Sequence, residues 1–400
     1  MGLDKIMKIA RVSATKIVLL VIDGLGGLPN PDTGKTELET AYTPNLDALA
    51  ANSICGLADP VSPGITPGSI PGHLALFGYN PISFNIGRGV AEALGIDFDL
   101  EPEDIAARGN FCTVNKAGLV TDRRAGRIST EQNTMLCQLF GGLKISGVKV
   151  IVRPVKEHRL VVIFRGEGLS AALGDSDPQQ VGVAPKPITI LNQEASRMAS
   201  IAGQFVTQAK RVLAEHHPAN MILLRGFFKQ PKLPTMGEIY KLRSAAIASY
   251  PMYRGLAKMV GMEILETGAT IEDEFQTLRQ NYAGYDFFFL HIKGTDTVGE
   301  DGNFDTKVRV IEEIDKALPD MTGLSPDVIV VTGDHSTPAL LGGHSWHPLP
   351  LLLYSKWCRP DGVNEFSESA CVSGGLGRLP ATELMPLAMA NALKLDKFGA

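Results

Sequence analysis

Residues 16–23 read KIVLLVID. Ile17 to Ile22 are all aliphatic, with no polar residue alternating among them. Such a run predicts a strand buried on both faces, the kind found in the middle of parallel sheets. It ends in Asp23, and Gly24, Gly26 and Gly27 follow, so the strand delivers a carboxylate to a sharp turn. Basic residues precede the run, as in a signal peptide, but Asp23-Gly24 stands where a small-residue cleavage site would be needed. Residues 1–14 are expected to be a loose leader.

Working outward, two more apolar runs share this form. Phe287 to Ile292 leads into Gly294-Thr295-Asp296, and Val328 to Val331 delivers Gly333-Asp334-His335. Leu351 to Leu353 is the last expected strand. Between these runs the apolar period lengthens to that of helices. Thr43-Pro44 opens one, with threonine at the N-cap and proline at the first helical position. Residues 194–215 carry Met198, Ile201, Phe205, Ala209 and Val212 on one stripe. Tyr250 to Val260 sets Arg254 and Lys258 one turn apart, and residues 305–318 pack Val308, Ile311, Ile314 and Leu318. Strands alternating with helices predict an α/β fold with a mostly parallel sheet flanked by helices. Ligands of such sheets lie outside the carboxyl ends of the strands.

Residues 105–190 differ in character. Asp122-Arg123-Arg124-Ala125-Gly126-Arg127 is an arginine-dense turn, and Val148–Val155 and Leu160–Arg165 flank a hairpin turn at Lys156-Glu157-His158. Gly174 to Pro178 is a polar turn, and Pro185 to Pro187 resembles a linker. The block reads as an inserted, smaller α+β domain over 105–190. Residues 1–104 and 191–400 then form the larger, discontinuous domain.

Bulk properties narrow the function. The chain has 400 residues, 44% hydrophobic and 20% charged, which is ordinary for a globular protein of two or three domain-sized units. A net charge of −5 provides no basic footprint for nucleic acid. No apolar run approaches the roughly 18 residues of a membrane span. The five cysteines form an odd set without CxxC spacing, which suits reduced thiols in the cytoplasm. Gly34-Lys35-Thr36 has the ending of a phosphate-binding P-loop, but residue 29 is proline where that motif needs glycine.

The chemistry gathers around residues 64–81, GITPGSIPGHLALFGYNP. Glycines and prolines bracket Ser69 before an apolar helical run. Its hydroxyl is therefore expected at a helix N-terminus, where free N–H groups and the helix dipole favour an oxyanion or phosphate. Strand ends supply Asp23, Asp296 and Asp334, with His335 adjacent and His344 nine residues beyond it. Carboxylate and imidazole groups in this number suit two divalent ions such as Mn²⁺, Mg²⁺ or Zn²⁺. Two ions beside a serine point to phosphoryl transfer through a phosphoserine.

The motifs VIDGLGG, TPGSIPGHLALFGYNP, HIKGTD, TGDHSTP and GGHSWHP, taken in this order, resemble the archaeal-type cofactor-independent phosphoglycerate mutases of the alkaline phosphatase superfamily. The resemblance spans about residues 16–395 and includes DRRAGRI and FRGEGLS of the insert. It implies an alkaline-phosphatase-like fold in which Asp23, Ser69, Asp334 and His335 hold one metal and Asp296 and His344 the second. Ser69 would accept the phosphoryl group of 3-phosphoglycerate and return it to the neighbouring hydroxyl, with no free 2,3-bisphosphoglycerate.

The chain departs from the family pattern in two places. Glu300, in Gly299-Glu300-Asp301-Gly302-Asn303, stands where the family has a histidine ligand, and an anionic oxygen favours Mn²⁺ or Mg²⁺ over Zn²⁺ or Co²⁺. Trp346-His347 replaces small and acidic residues. A small phosphorylated anion needs fixed cations, for which Arg123, Arg124, Arg127, Arg159, Arg225, Arg254 and Lys258 are candidates. Asp175 and Asp177 are candidates to orient the glycerate hydroxyls. His158, His216 and His217 are read as surface or hairpin residues without a role. The alternative reading is a related phosphotransferase or phosphomonoesterase on another small anion, for example a homoserine kinase-like enzyme.

Overall fold

A computed structural model describes residues 2–84 and 86–399. The expected strand forms over Ile17–Ile22, with all six residues buried. It lies inside an eight-stranded sheet whose order is Gly377–Pro380, Ile54–Asp59, Leu349–Ser355, Val328–Thr332, Ile17–Ile22, Phe287–Ile292, Ser244–Ile247 and Glu263–Leu265. Only Leu349–Ser355 runs against its neighbours, so the sheet is mostly parallel, as expected. Helices cover it, and one face is packed by Leu46, Phe275, Ile311, Ile314 and Leu318 against Val18, Leu20 and Ile22.

The chain forms two compact units, 1–85 with 233–400, and 86–232. The second unit thus extends beyond the expected limits of 105 and 190. Strand Met221–Lys229 pairs antiparallel with Ile105–Val114, the centre of a five-stranded sheet, and so draws in the chain that leads to it. Helix Ser196–Leu213 lays Met198, Ile201, Phe205, Ala209 and Leu213 on the apolar face of that sheet. Leu213, rather than the expected Val212, closes this stripe. The hairpin expected at Lys156-Glu157-His158 is present between Lys149–Lys156 and Arg159–Arg165. His158 stands in this hairpin turn, as one of the two alternatives expected, but it is buried, being only 2% exposed.

The N-terminus also departs from expectation. Residues Leu3–Ile9 form a helix that packs against Met236–Tyr240 and buries Ile6. Ala10 bridges to Leu395, and Arg11 N–H donates to the Lys394 carbonyl at 2.9 Å. A short segment with one deeply buried isoleucine has too little periodicity to be read as a helix. Substitution Ile6→Ala should cost about 2–4 kcal/mol of stability, measured by denaturant unfolding; a loose leader would give no change.

Candidate active site

The register of three strands builds the site. Ile17–Ile22 pairs parallel with Phe287–Ile292, placing Ile22 opposite Ile292, and with Val328–Thr332, placing Val21 opposite Thr332. Three apolar runs therefore finish at one level, and Asp23, Lys293 and Asp334 emerge side by side. Asp296 reaches the same place from the first turn of helix Gly294–Glu300. Ser69 is the first residue of helix Ser69–Leu76, whose N-cap is Gly68, so its hydroxyl is not spent on capping. A Cβ at Gly72 would stand 2.2 Å from the Asp334 carbonyl oxygen. Only glycine lets this helix lie directly on the Asp334 turn.

Asp23, Asp334 and His335 converge with ligand atoms within 4.8 Å of one another, and so do Asp296, His335 and His344. The hydrogen bonds fix which nitrogens are available. Thr337 Oγ1 donates to Asp296 Oδ1 at 2.8 Å and so must accept from His335 Nδ1, also at 2.8 Å. His335 Nε2 is then a lone pair, and burial holds the imidazole below its usual pKa, favouring the neutral form. That lone pair faces Asp334 Oδ2 at 3.1 Å, Asp23 Oδ1 at 3.3 Å and Ser69 Oγ at 3.4 Å. Both carboxylate oxygens are buried without a hydrogen-bond donor. His344 repeats the pattern, because its Nδ1 can only donate to the Pro67 carbonyl, at 2.9 Å. Its Nε2 looks at Asp296 Oδ1 at 3.5 Å and Glu300 Oε1 at 3.8 Å. Acceptors aimed at acceptors fit a divalent cation, and this donor set fits two.

Three groups around the carboxylates escape sequence reasoning. Lys293 Nζ lies 3.1 Å from Asp23 Oδ2, bonds Asp296 Oδ2, and contacts Tyr253 Oη at 3.2 Å. Burial would raise the Asp23 pKa, but Lys293 and the histidines outweigh it and hold the carboxyl well below its usual range. His291 Nε2 donates to Asp23 Oδ2 at 3.1 Å, leaving Oδ1 to face inward. His73, one turn after Ser69, donates from Nδ1 to the Ser69 carbonyl at 2.8 Å and stands 3.2 Å from Asp334 Oδ2. Tyr253 stacks on His291 with ring centroids 3.8 Å apart. The only advance signal was that His73 and His291 are imidazoles inside otherwise apolar segments.

The expected substrate cations divide between the units. In the second unit, Arg123 forms a two-pronged pair with buried Asp177 at 3.0 and 2.7 Å, and Arg225 lies 3.6 Å from the same carboxylate. Asp175 accepts from Gly226 N–H at 2.8 Å. Arg159 pairs with Glu157 at 3.2 Å. Burial, then Arg159, Arg108, Arg124 and Arg127, push the His158 pKa down to about 2, which registers how densely the cations cluster. In the first unit, Arg254 is engaged by Glu266 at 3.0 and 2.6 Å, and Lys258 lies in the last turn of the same helix. Exposed His216 and His217 stay peripheral.

Reactive groups standing at the carboxyl ends of a mostly parallel sheet, beside a serine at a helix N-terminus, define an α/β enzyme. Residues 50–220 match the model of the 2,3-bisphosphoglycerate-independent phosphoglycerate mutase family. A probable mutase of that name from Thermotoga neapolitana is 50% identical, covering 100% of both chains. A solved Pyrococcus horikoshii protein superposes with a TM-score of 0.84 at 30% identity, covering 97% of this chain and 100% of that one. The cofactor-independent phosphoglycerate mutase from Thermoplasma acidophilum gives 0.67 at 31% identity, over 94% and 100%. The chain belongs to the 2,3-bisphosphoglycerate-independent phosphoglycerate mutase family, whose members are isomerases.

The Arg123–Asp177 pair has a definite pH signature. Burial raises the Asp177 pKa, yet the Arg123 hydrogen bonds overcome this and leave it depressed. Its contribution is therefore complete above the unfolded carboxyl value of about 3.9 and is lost as pH falls through the lower folded value. Substitution Asp177→Asn should cost about 3 kcal/mol at pH 7. In denaturant titrations across pH, the gap from wild type should hold above about pH 5 and narrow toward pH 3.

Proposed function

We propose that the enzyme interconverts 3-phosphoglycerate and 2-phosphoglycerate through a phosphoserine at Ser69, with two divalent ions and no free bisphosphate. The observation that carries this reading is the cluster beside Ser69, where the His335 Nε2 lone pair faces the orphaned oxygens of Asp23 and Asp334, and Asp296, His335 and His344 converge. Asp23, Ser69, Asp334 and His335 would hold one ion, and Asp296, His344 and Glu300 the other. Four carboxylates in the set favour Mn²⁺ or Mg²⁺. Bound there, the ions would supply positive charge that lowers the serine hydroxyl pKa and stabilises the phosphoryl oxygens.

The chain's own groups do the rest. Ser69 Oγ gives up its proton and bonds to phosphorus, the ester bond to the C3 oxygen breaks, and that oxygen takes up a proton. The C2 hydroxyl then loses a proton and bonds to phosphorus, the bond from phosphorus to Ser69 Oγ breaks, and Oγ takes up a proton, which restores Ser69. His73, which donates to the Ser69 carbonyl, fixes the serine backbone during both transfers. Arg123, Arg124, Arg127, Arg159 and Arg225 are proposed to bind the anionic groups of the substrate, with Arg254 and Lys258 as further cations. Asp175 and Asp177 orient those arginines or the glycerate hydroxyls.

The test is 3-phosphoglycerate conversion coupled to enolase, using metal-stripped protein with and without Mn²⁺. Activity should require the metal, and Ser69→Ala should lose at least about 10³-fold in kcat. Full activity in chelator, or an active Ser69→Ala enzyme, would overturn the reading.

A further inference from the structure

Lys307 is a buried cation with no part in the chemistry just described. It lies in the first turn of helix Phe304–Thr322 and is 0% exposed. Its position belongs to the apolar stripe of Ile311, Ile314, Leu318 and Met321. A positive charge is doubly unfavourable there, since burial desolvates it and the helix N-terminus repels it. Burial accordingly lowers the ammonium pKa, against the pull of Glu37 and Glu368.

Its partners compensate for that cost and show what it holds. Lys307 Nζ donates to the Gly26 carbonyl at 3.1 Å and to the Thr337 carbonyl at 2.9 Å. Gly26 follows Asp23 by three residues, and Thr337 follows His335 by two. Thr337 N–H donates to the same Gly26 carbonyl at 3.0 Å, so the two turns are tied directly and through the ammonium. Glu37 Oε1 lies 3.9 Å from Nζ and accepts from Ala339 N–H at 2.7 Å. Glu368 grips the opposite side, accepting from Gly27 N–H and Thr36 Oγ1, each at 2.8 Å. The Thr337 hydroxyl is also the group that sets the His335 tautomer and orients Asp296.

From this chain of contacts we infer that Lys307, with Glu37, is a positioning residue that locks the Asp23 and His335 turns together and so sets the affinity of the metal site. The inference rests on the proposed metal binding. The ammonium touches no proposed ligand and acts through the backbone of Gly26 and Thr337.

Lys307→Met alone would leave Glu37 as a stranded buried charge, so it should be paired with Lys307→Met/Glu37→Gln, which keeps the acceptor for Ala339. The readouts are Mn²⁺ titration by calorimetry, the electron paramagnetic resonance spectrum of bound Mn²⁺, and thermal unfolding in chelator, all on the full chain. The double variant should unfold in chelator close to wild type but bind Mn²⁺ about 10–100-fold more weakly, with a broadened spectrum. Unchanged affinity and spectrum would overturn the assignment. So would failure of both variants to fold in chelator, which would make Lys307 a requirement of the fold. A wild-type protein that binds no Mn²⁺ would instead sink the metal reading itself, and this inference with it.

Discussion

Asp23, Asp296 and Asp334 are buried carboxylates brought to one point by the register of three parallel strands. An isolated carboxylate in such a place would take up a proton rather than remain charged. The fold depends on the positive and donor groups threaded among them. Lys293 lies between Asp23 and Asp296, His291 donates to Asp23, His73 approaches Asp334, and Gly24 N–H donates to Asp334 Oδ1 at 3.1 Å. What these leave open is as telling as what they satisfy. The remaining oxygens, Asp23 Oδ1 and Asp334 Oδ2, turn toward the His335 Nε2 lone pair.

Much of this was legible in the chain because parallel strands write themselves as unbroken apolar runs. Their ends are marked by the first polar residues, so Asp23 and Asp334-His335 could be read directly, and Ser69 stood out among its glycines and prolines. Side chains that serve the site from inside an element were hidden. His73 and His291 interrupt apolar segments only once, and Lys293 looks like a solvated residue after a strand. Lys307 defeats helical periodicity outright, because it takes a core position that the pattern assigns to an apolar residue, while the expected Val308 is only partly buried.

The unit boundary was illegible for a different reason. Met221–Lys229 has the composition of any buried strand, and nothing local says that its partner is Ile105–Val114, more than a hundred residues earlier. Non-local pairing is decided by the whole sheet. His158 sits in the expected hairpin turn, but its burial was not legible, since that turn is clamped by Asn133, whose side-chain amide donates to the carbonyls of Glu157 at 2.5 Å and Arg159 at 2.6 Å. A polar turn is normally exposed; here a helix covers it.

The two units solve opposite problems with the same device. Among the carboxylates of the first unit stands one lysine, a cation where cations are proposed to bind. Among the arginines of the second stands Asp177, an anion where an anion is proposed to bind, pairing Arg123 and lying near Arg225. Without such internal counter-ions, each cluster of like charges would spread apart or lose its charge. With them, the geometry persists before any ligand arrives, so binding need not also order the site. Each counter-ion bridges two members of its cluster: Lys293 engages Asp23 and Asp296, and Asp177 engages Arg123 and lies near Arg225. The first cluster is proposed to receive metal ions and the second the anionic groups of a phosphorylated acid, so that in each the internal counter-ion has the sign of the proposed ligand.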